Sequence, residues 1–293
     1  MVRPSMLLAL GALTVAVAAC APVSDTTTQA GASPASADPS GPAPCTKDGL
    51  TLKTAGKLTV GTDKPAYEPW FKDDDPANGK GFESAVVHAI ARELGFQSGE
   101  IAWSTVKFDS AFAPGPKQFD FDVNQVSVTP DRAKVVDFSK GYYTVKQAVV
   151  ALNGSKIASA TDLAGLKDAK IGVQVGTTSL QAVKDVIQPT ADPNVYNEQI
   201  DVVNALKNKQ VDAVVVDLPT AFYVTAAQVE NSKLVGQFGT ASGTPEVFGA
   251  VFEKGSPLVG CVNEAIDRLT SSGELAKIET EWLGSAAGAP ELK

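Results

Sequence analysis

Short β-branched runs alternate with helix patterns along most of this chain, and this alternation constrains its fold more than any other feature. Lys57–Thr62 and Lys170–Val175 are strand-like, and each run comes to a Gly-Thr turn. Glu83–Leu94 places its apolar residues on one helical face. Alternating strands and helices are typical of parallel α/β sheets covered by helices. Because the pattern occurs twice, the sequence predicts two similar α/β lobes of about a hundred residues each.

Composition excludes several function classes. The 293 residues carry 25 Lys and Arg against 33 Asp and Glu, and no basic run, so a nucleic-acid partner is not expected. One histidine, His88, rules out a multi-histidine metal site, and no metal or cofactor is expected. Its helical spacing places His88 beside Ser84 and Arg92, opposite the apolar face. We therefore predict a solvated surface histidine without a catalytic role.

The first 44 residues have the composition of a targeting segment and a tether. Arg3 precedes an apolar run, Met6–Ala19, that is too short to span a bilayer. Cys20 follows it directly, so residues 1–19 resemble a bacterial lipoprotein signal, with Cys20 as the lipidated N-terminus; the alternative is an ordinary signal peptide with an incidental cysteine. Residues 20–44 are rich in Ala, Pro, Ser, Thr and Gly, and they predict a flexible tether. We expect a protein anchored to the outer face of the cell membrane.

Two cysteines remain once Cys20 is assigned to the lipid anchor. An even number of cysteines in an exported protein favours a disulfide, here between Cys45 and Cys261. Two free buried thiols are the alternative. In either case the pair is structural, because the sequence has no Cys-x-x-Cys motif.

Two charged residues stand where strands end. Ligands of open α/β sheets bind beyond the carboxyl ends of the strands, so two facing lobes would share one cleft. Arg132 lies after the predicted strand Phe121–Val128, in the first turn of a predicted helix, where a cation is unfavourable unless it meets an anion; an ion pair with Asp131 or Asp137 is the alternative. Asp217 ends an apolar strand and suits an ammonium group or a helix N-cap.

Other residues at the predicted cleft have open roles. Thr177 and Thr178 follow a strand and begin a helix, so their backbone N–H groups suit an anion, although the hydroxyls could serve only as caps. Tyr67, Trp70 and Phe108 lie in predicted loops after strands. These aromatic side chains either cover a ligand or fill the lobe.

Several ordered segments together resemble the family 3 extracellular solute-binding proteins, the polar amino acid receptors of ABC importers. The resemblance covers about Lys57–Leu283. The matching segments are GKLTVGTDKPAYEPW (56–70), GFESAVVHAIARELGF (81–96), SVTPDRAKVVDFSKGYY (127–143), DLAGLKDAKIGVQVGTTS (162–179), VDAVVVDLPTAFYV (211–224) and SSGELAKIETEWL (271–283).

The resemblance implies a role for each matching position. Arg132 and Ser127 would hold the ligand's α-carboxylate from one lobe, and Thr178, with Thr177 beside it, would complete that site from the other. Asp217 would receive the α-ammonium group. The remaining expected contacts are with the ligand side chain, through the aromatic Tyr67 and Phe108 and through Asp63 and Gln174 at its variable end.

The chain departs from the family pattern in a polar strand. Gln125 replaces a small residue, Asp122 and Asn124 occupy positions where a buried strand should be apolar, and Ala85 replaces an acid. Asp122 and Asn124 are expected to line the cleft or to be hydrogen-bonded internally. Polar Gln125, Asn124 and Gln174 lean slightly toward a ligand with a polar side chain, such as glutamine or cystine.

The resemblance implies a two-lobed periplasmic-binding-protein fold with a hinge. The expected limits are 45–144 for the first part of lobe 1, 145–244 for lobe 2, 245–284 for the second part of lobe 1, and 285–293 for a tail. The two crossing segments are expected near Thr144–Ala148 and Thr244–Phe248. The implied function is binding of a free amino acid, by a monomer, and its delivery to an ABC permease.

Two alternatives use the same scaffold. One is an enzyme resembling the cyclohexadienyl dehydratases, which needs a positioned acid; Asp122 and Glu68 are the candidates. The other is a lipoprotein receptor that senses an amino acid and signals to a membrane partner. We expect a binding protein and not an enzyme, because the Arg132 and Asp217 pair suits a free amino acid.

Overall fold

A computed structural model describes residues 45–284 and 289–293. The signal peptide, Cys20 and the tether lie outside these residues and stay predictions. Within the described ranges, no helix combines the length and the apolar character needed to cross a membrane.

The element order alternates strands and helices as the sequence predicts. The strands are β1 Leu58–Thr62, β2 Ile101–Thr105, β3 Phe121–Asp122, β4 Val136–Phe138, β5 Tyr143–Val145, β6 Gln147–Leu152, β7 Ile171–Gln174, β8 Asn194–Tyr196, β9 Ala213–Asp217, β10 Ser232–Phe238, β11 Glu246–Phe248 and β12 Val251–Glu253. The α-helices are α1 Phe82–Glu93, α2 Phe108–Ala111, α3 Thr178–Ala182, α4 Gln199–Lys207, α5 Leu218–Tyr223, α6 Leu258–Ser271 and α7 Glu274–Leu283.

Lobe 1 is built on a five-stranded sheet with the order β2-β1-β3-β12-β4. Helix α1 turns Val87, Ile90 and Ala91 into the core, as its periodicity predicts, and packs against α6 and α7. Cys45 and Cys261 form the predicted disulfide, with 5.1 Å between their Cα atoms. The bond joins the start of the described chain to helix α6 within this lobe.

Lobe 2 is built on a second five-stranded sheet with the order β10-β6-β9-β7-β8. Strand β9 lies at its centre, and Val214 and Val215 of that strand belong to apolar clusters on the two opposite faces. Helices α3 and α5 each continue into one π-helical turn, Val183–Ile187 and Val224–Gln228.

Strands β5 and β11 form a separate two-stranded sheet between the lobes. Each lies at or beside an expected crossing segment, while the residue limits of the lobes stay predictions. The C-terminal residues 289–293 pack on lobe 2: Gln237 N donates to Pro290 O at 2.7 Å, and Leu292 N donates to Gln237 O at 2.8 Å. Leu292 is buried in the core of lobe 2.

Three expectations about sheets, strands and helices are wrong. The sheets are mixed and not parallel, because β12 runs antiparallel to β3 and β4, and β6 runs antiparallel to β9 and β10. The strand expected at Phe121–Val128 ends at Asp122. Gln125 adopts a left-handed backbone, with φ of 51°, which breaks the extended conformation. Arg132 begins a 3-10 turn, Arg132–Lys134, instead of an α-helix.

The expectation of a solvated His88 is also wrong. The segment before α1 covers this face of the helix: Ser84 is fully buried and donates to Pro76 O, and a Cβ at Gly79 would lie 3.8 Å from the His88 ring. Burial lowers the pKa of His88, which favours the neutral ring. His88 is therefore a half-buried residue of α1 that packs against the preceding segment.

Candidate functional site

A cavity of about 90 Å³ lies between the two lobes, at the carboxyl ends of β1, β7 and β9. This volume is several times the roughly 10–15 Å³ that one water needs, so the cavity has room for a small ligand. All ten residues that the sequence analysis assigns to the ligand line it: Asp63, Tyr67, Phe108, Gln125, Ser127, Arg132, Gln174, Thr177, Thr178 and Asp217. Their individual roles toward a ligand stay predictions.

Arg132 is held in a fixed position on the lobe 1 wall. Its guanidinium donates to Ser127 O at 2.7 Å and, across the cleft, to Gly176 O at 2.9 Å. The Phe112 ring centroid lies 4.2 Å from the guanidinium carbon. Burial lowers the pKa of Arg132 to about 10, so the group keeps its charge at neutral pH.

The ion pairs considered for Arg132 do not form. Asp131 pairs with Lys134 at 2.6 Å, and Asp137 pairs with Lys254 at 2.7 Å. Among the residues that the structure describes, no carboxylate oxygen lies within 4.0 Å of an Arg132 nitrogen. Arg132 therefore presents a buried positive charge whose protein partners are neutral carbonyl groups.

The hydroxyl residues bring the two lobes together beside Arg132. Ser127 Oγ lies 3.4 Å from Thr178 Oγ1 across the cleft. Thr177 caps α3, because its Oγ1 accepts from Leu180 N at 3.1 Å and donates to Gln174 O at 2.8 Å. The capping alternative is thus correct for the Thr177 side chain, which leaves Thr178 as the hydroxyl that faces Ser127.

Asp217 stands at the end of β9, on the lobe 2 wall. It occupies the N-cap position of α5 without a side-chain cap bond, and its Oδ1 accepts from Gln147 Nε2 at 2.9 Å. Burial raises the pKa of Asp217 well above its ordinary value, and the Glu246 carboxylate adds to this rise, while Arg132 opposes it. A cation beside Asp217 would stabilise its charged form.

Glu246 is a residue of this network that sequence reasoning missed. It lies on the crossing strand β11, accepts from Ser127 Oγ, and accepts from Gln147 Nε2 at 3.1 Å. Gln147 in turn accepts from Ser179 Oγ at 2.6 Å. An acid inside a predicted hinge segment was the available signal. Glu246 joins the hinge to both walls of the cleft.

The other end of the cavity contains further acids and aromatic rings. Asp63, from lobe 1, accepts from Lys64 N at 2.7 Å and Phe108 N at 3.2 Å. Glu198, from lobe 2, also lines this end, and sequence reasoning missed it. Glu198 follows strand β8. Because this strand was not predicted, Glu198 was not recognised as a residue next to a strand end.

The polar strand of lobe 1 leads to a buried acidic cluster. Glu83 accepts from Tyr142 Oη at 2.5 Å and Gln125 N at 2.8 Å, with a further contact from the Gln125 amide. The bond from Gln125 N to Glu83 stabilises the left-handed turn at Gln125. Burial raises the pKa of Glu83 to about 7. Asn124 lines the cavity as expected, but Asp122 does not, and neither Asp122 oxygen has a hydrogen-bond partner among the described residues.

The lobes are in contact around the cavity. Trp70 Nε1 donates to Thr220 Oγ1 at 2.9 Å, and Lys107 Nζ lies 3.2 Å from Glu198 Oε1. Trp70 is almost fully buried and packs edge-on against Phe82 and Phe248 of lobe 1, so it fills the lobe as well as lining the cavity. The described ranges contain no group of three or more His, Cys, Asp or Glu side chains that could hold a metal ion.

Two α/β lobes, two crossing strands and a polar cavity between the lobes define a two-lobed ligand-binding protein. The sequence pattern of the bacterial extracellular solute-binding proteins, family 3, matches residues 58–285. The chain belongs to this family.

Named relatives of known or stated function support this assignment. A probable histidine-binding protein of Campylobacter jejuni is 33% identical over 226 residues, which are 74% of this chain and 80% of the relative. A solved ancestral arginine-binding protein, bound to arginine, is 32% identical with a TM-score of 0.65, and the match covers 78% of this chain and 99% of that one. An ancestral amino acid-binding protein described as a precursor of cyclohexadienyl dehydratase is 30% identical, with a TM-score of 0.62, over 78% of this chain and 95% of that one.

Proposed function

We propose that this protein binds a free amino acid as a zwitterion in the interlobe cavity. The observation that carries the proposal is the buried Arg132 guanidinium, whose protein partners are backbone carbonyl groups and not acids. A planar guanidinium that no protein acid neutralises suits the α-carboxylate of a ligand. Asp217, on the opposite wall, suits the α-ammonium group, since a cation there offsets the cost of its charged form.

Closure of the lobes follows from this arrangement. Ser127 and Arg132 belong to lobe 1, whereas Thr178 and Asp217 belong to lobe 2. A ligand that bonds to both walls binds the closed form more strongly than the open form, and it therefore shifts the population toward closure. The closed form would then dock on an ABC permease, with lipidated Cys20 holding a monomer at the outer face of the membrane.

The experiment that tests the carboxylate role is calorimetry on Arg132→Ala, after a screen of amino acids has identified the ligand. The variant leaves the α-carboxylate without its charged partner in a dry site, so we expect a loss of about 2–5 kcal/mol, or about 30-fold to several thousand-fold in affinity. Arg92→Ala, an exposed arginine on α1, is the matched control and should bind as the wild type does. An unchanged dissociation constant in Arg132→Ala would contradict the proposal.

A second variant tests the ammonium role separately. Asp217→Asn should weaken the amino acid more than its deaminated analogue, because only the amino acid carries the charge that Asp217 would bind. Equal losses for the two compounds would show that Asp217 does not recognise the ammonium group.

The acids named for the dehydratase alternative lie away from the cavity. Asp122 is fully buried and does not line it, and Glu68 lies 3.3 Å from Lys72 Nζ outside the lining. A general acid must reach its substrate, so this placement supports a binding role. Incubation with prephenate or arogenate should give no aromatic product.

A further inference from the structure

The two ends of a zwitterion account for only part of the cavity wall. The charges of Asp217 and Arg132 act on each other, while the charges of Asp63 and Glu198, which line the cavity from opposite lobes, form a second group that we call the far end of the cavity. Asp63 accepts two backbone N–H groups, from Lys64 and Phe108. Within the described ranges no Lys, Arg or His nitrogen lies within 4.0 Å of its carboxylate. The far end of the cavity therefore holds an acid without a cationic partner.

A protein cation already lies at the edge of this end. Lys107 Nζ, on lobe 1, is 3.2 Å from Glu198 Oε1 across the cleft, and its side chain is 71% exposed. Lys107 also interacts with the charge of Asp63. Because Lys107 is largely solvated, its pairing with Glu198 is weak and can be exchanged for a better-placed cation.

The charges around this end do not balance. Lys64, the other nearby base, is 61% exposed and lies 3.5 Å from Asp74 instead of Asp63. Burial raises the pKa of Tyr67 to about 12, and the carboxylates of Asp63 and Glu198 add to the rise. Asp201 and Asp74 act on Tyr67 in the same direction. The Tyr67 ring thus stands in a negative potential between acids of both lobes.

We propose that the Asp63 and Glu198 end is a subsite for a cationic side chain, so that the ligand is an amino acid with a second positive charge, of the lysine, arginine or histidine type. This proposal rests on the proposed function, since it assumes that Arg132 binds the α-carboxylate and Asp217 the α-ammonium group. Glu198 is then a specificity-determining residue that joins the subsite only when the lobes close. A neutral side chain would bury the Asp63 carboxylate without a charged partner, which costs free energy. A cationic side chain offsets this cost, so the subsite favours a cationic ligand over a neutral one.

This inference replaces the slight lean toward a ligand such as glutamine or cystine. That lean depended on Gln125, Asn124 and Gln174. Gln125 is bonded to Glu83 in the structure, and the Gln174 amide donates to Asn197 O at 3.3 Å, so these two amides have protein partners, whereas Asn124 Nδ2 has none among the described residues. The carboxylate of Asp63 has only N–H donors from the backbone.

The test compares matched ligands by calorimetry on the full chain. L-arginine and L-citrulline have nearly the same shape, but only arginine carries the side-chain charge. We expect arginine, or lysine, to bind at least about ten-fold more tightly than citrulline or glutamine. Citrulline or glutamine binding as tightly as arginine and lysine, with the binding lost in Arg132→Ala, would overturn the cation subsite and leave the proposed function standing. Binding of no free amino acid would overturn the proposed function itself.

Variants that remove an acid or a base at this subsite should change the selectivity for a cationic ligand in opposite directions. Asp63→Asn and Glu198→Gln should each reduce the affinity ratio of arginine to citrulline by about five-fold or more. Lys107→Met removes a competing cation and should raise that ratio. Glu264→Gln, an exposed acid on α6, is the matched control and should leave the ratio unchanged. An unchanged ratio in both Asp63→Asn and Glu198→Gln would contradict the assignment.

Discussion

Asp122 is a fully buried acid in the sheet of lobe 1 whose oxygens have no hydrogen-bond partner among the described residues. Gly61 on the adjacent strand makes room for it, since a Cβ there would lie 2.5 Å from Asp122 Oδ2. Burial raises the pKa of Asp122 well above its ordinary value, and the negative charges of Glu83 and Asp63 add to the rise. Asp122 therefore keeps its proton in the folded state at pH values where the unfolded chain has lost it.

Asp122 and Glu83 should make stability fall as the pH rises. A carboxyl group whose pKa is higher in the folded state binds more protons there, so the free energy of unfolding decreases by up to about 1.4 kcal/mol per pH unit for each such group. For Glu83 the window runs from its ordinary pKa of 4.5 to about 7. We expect ligand-free wild type to be more stable toward denaturant at pH 5 than at pH 8.

Asp122→Asn tests the contribution of one group. The amide has nearly the same shape and cannot ionise, so the stability of the variant relative to wild type should increase steadily between pH 5 and pH 8. Urea unfolding at several pH values measures this change. Identical pH slopes for the two proteins would show that Asp122 does not retain its proton.

Single residues differ in how far the sequence predicts them. Asp217 and Thr178 line the cavity as expected, because Asp217 ends β9 and Thr178 lies shortly after β7; Arg132 also lines it, although the strand predicted before it ends at Asp122. Glu198 and Glu246 were missed, because the strands beside them are short and their patterns are weak. Whether a polar residue such as Asp122 faces a cleft or a core depends on where the strand bends, and the left-handed turn at Gln125 decided that.

At the level of elements, β10 and the C-terminal segment form a close contact that the sequence did not indicate. A Cβ at Gly236 would lie 2.6 Å from Leu292 Cγ and 2.8 Å from Pro290 O. The absence of a side chain at Gly236 therefore allows residues 289–293 to lie against lobe 2.

Gly236→Ala should release or strain this contact. We expect a loss of about 1–3 kcal/mol in the free energy of unfolding, because the added methyl group overpacks the site. Faster cleavage of the C-terminal segment in limited proteolysis would accompany it. Gly239→Ala is the matched control, since nothing lies within 4 Å of its Cβ position. Equal effects of the two variants would show that the contact with Leu292 is not responsible.

For the whole molecule, the disulfide should affect stability, whereas the cavity determines ligand affinity. Cys45–Cys261 joins residues 216 positions apart within lobe 1, whereas the ligand cavity lies between the lobes. A bond that closes so long a loop restricts the unfolded chain strongly.

The double variant Cys45→Ser, Cys261→Ser should therefore lose about 2–5 kcal/mol of stability in denaturant unfolding. Its affinity for the amino acid, measured by calorimetry below its unfolding transition, should stay within about two-fold of the wild-type value. A large loss of affinity with little loss of stability would show that the bond controls closure.

The sequence by itself predicted the α/β class, the duplication of lobes and, from the number of cysteines in an exported protein, the disulfide pair; with the family resemblance it also predicted ten of the residues that line the cavity. The class and the duplication depend on local periodicity, some of the lining residues lie next to strand ends, and the family resemblance assigned the others. Tertiary structure decided the mixed strand order, the burial of Asp122 and His88, and the placement of Asp63 and Glu198 in the lining of one cavity. These depend on contacts between residues far apart in sequence, and the pairing and bending of strands fix them.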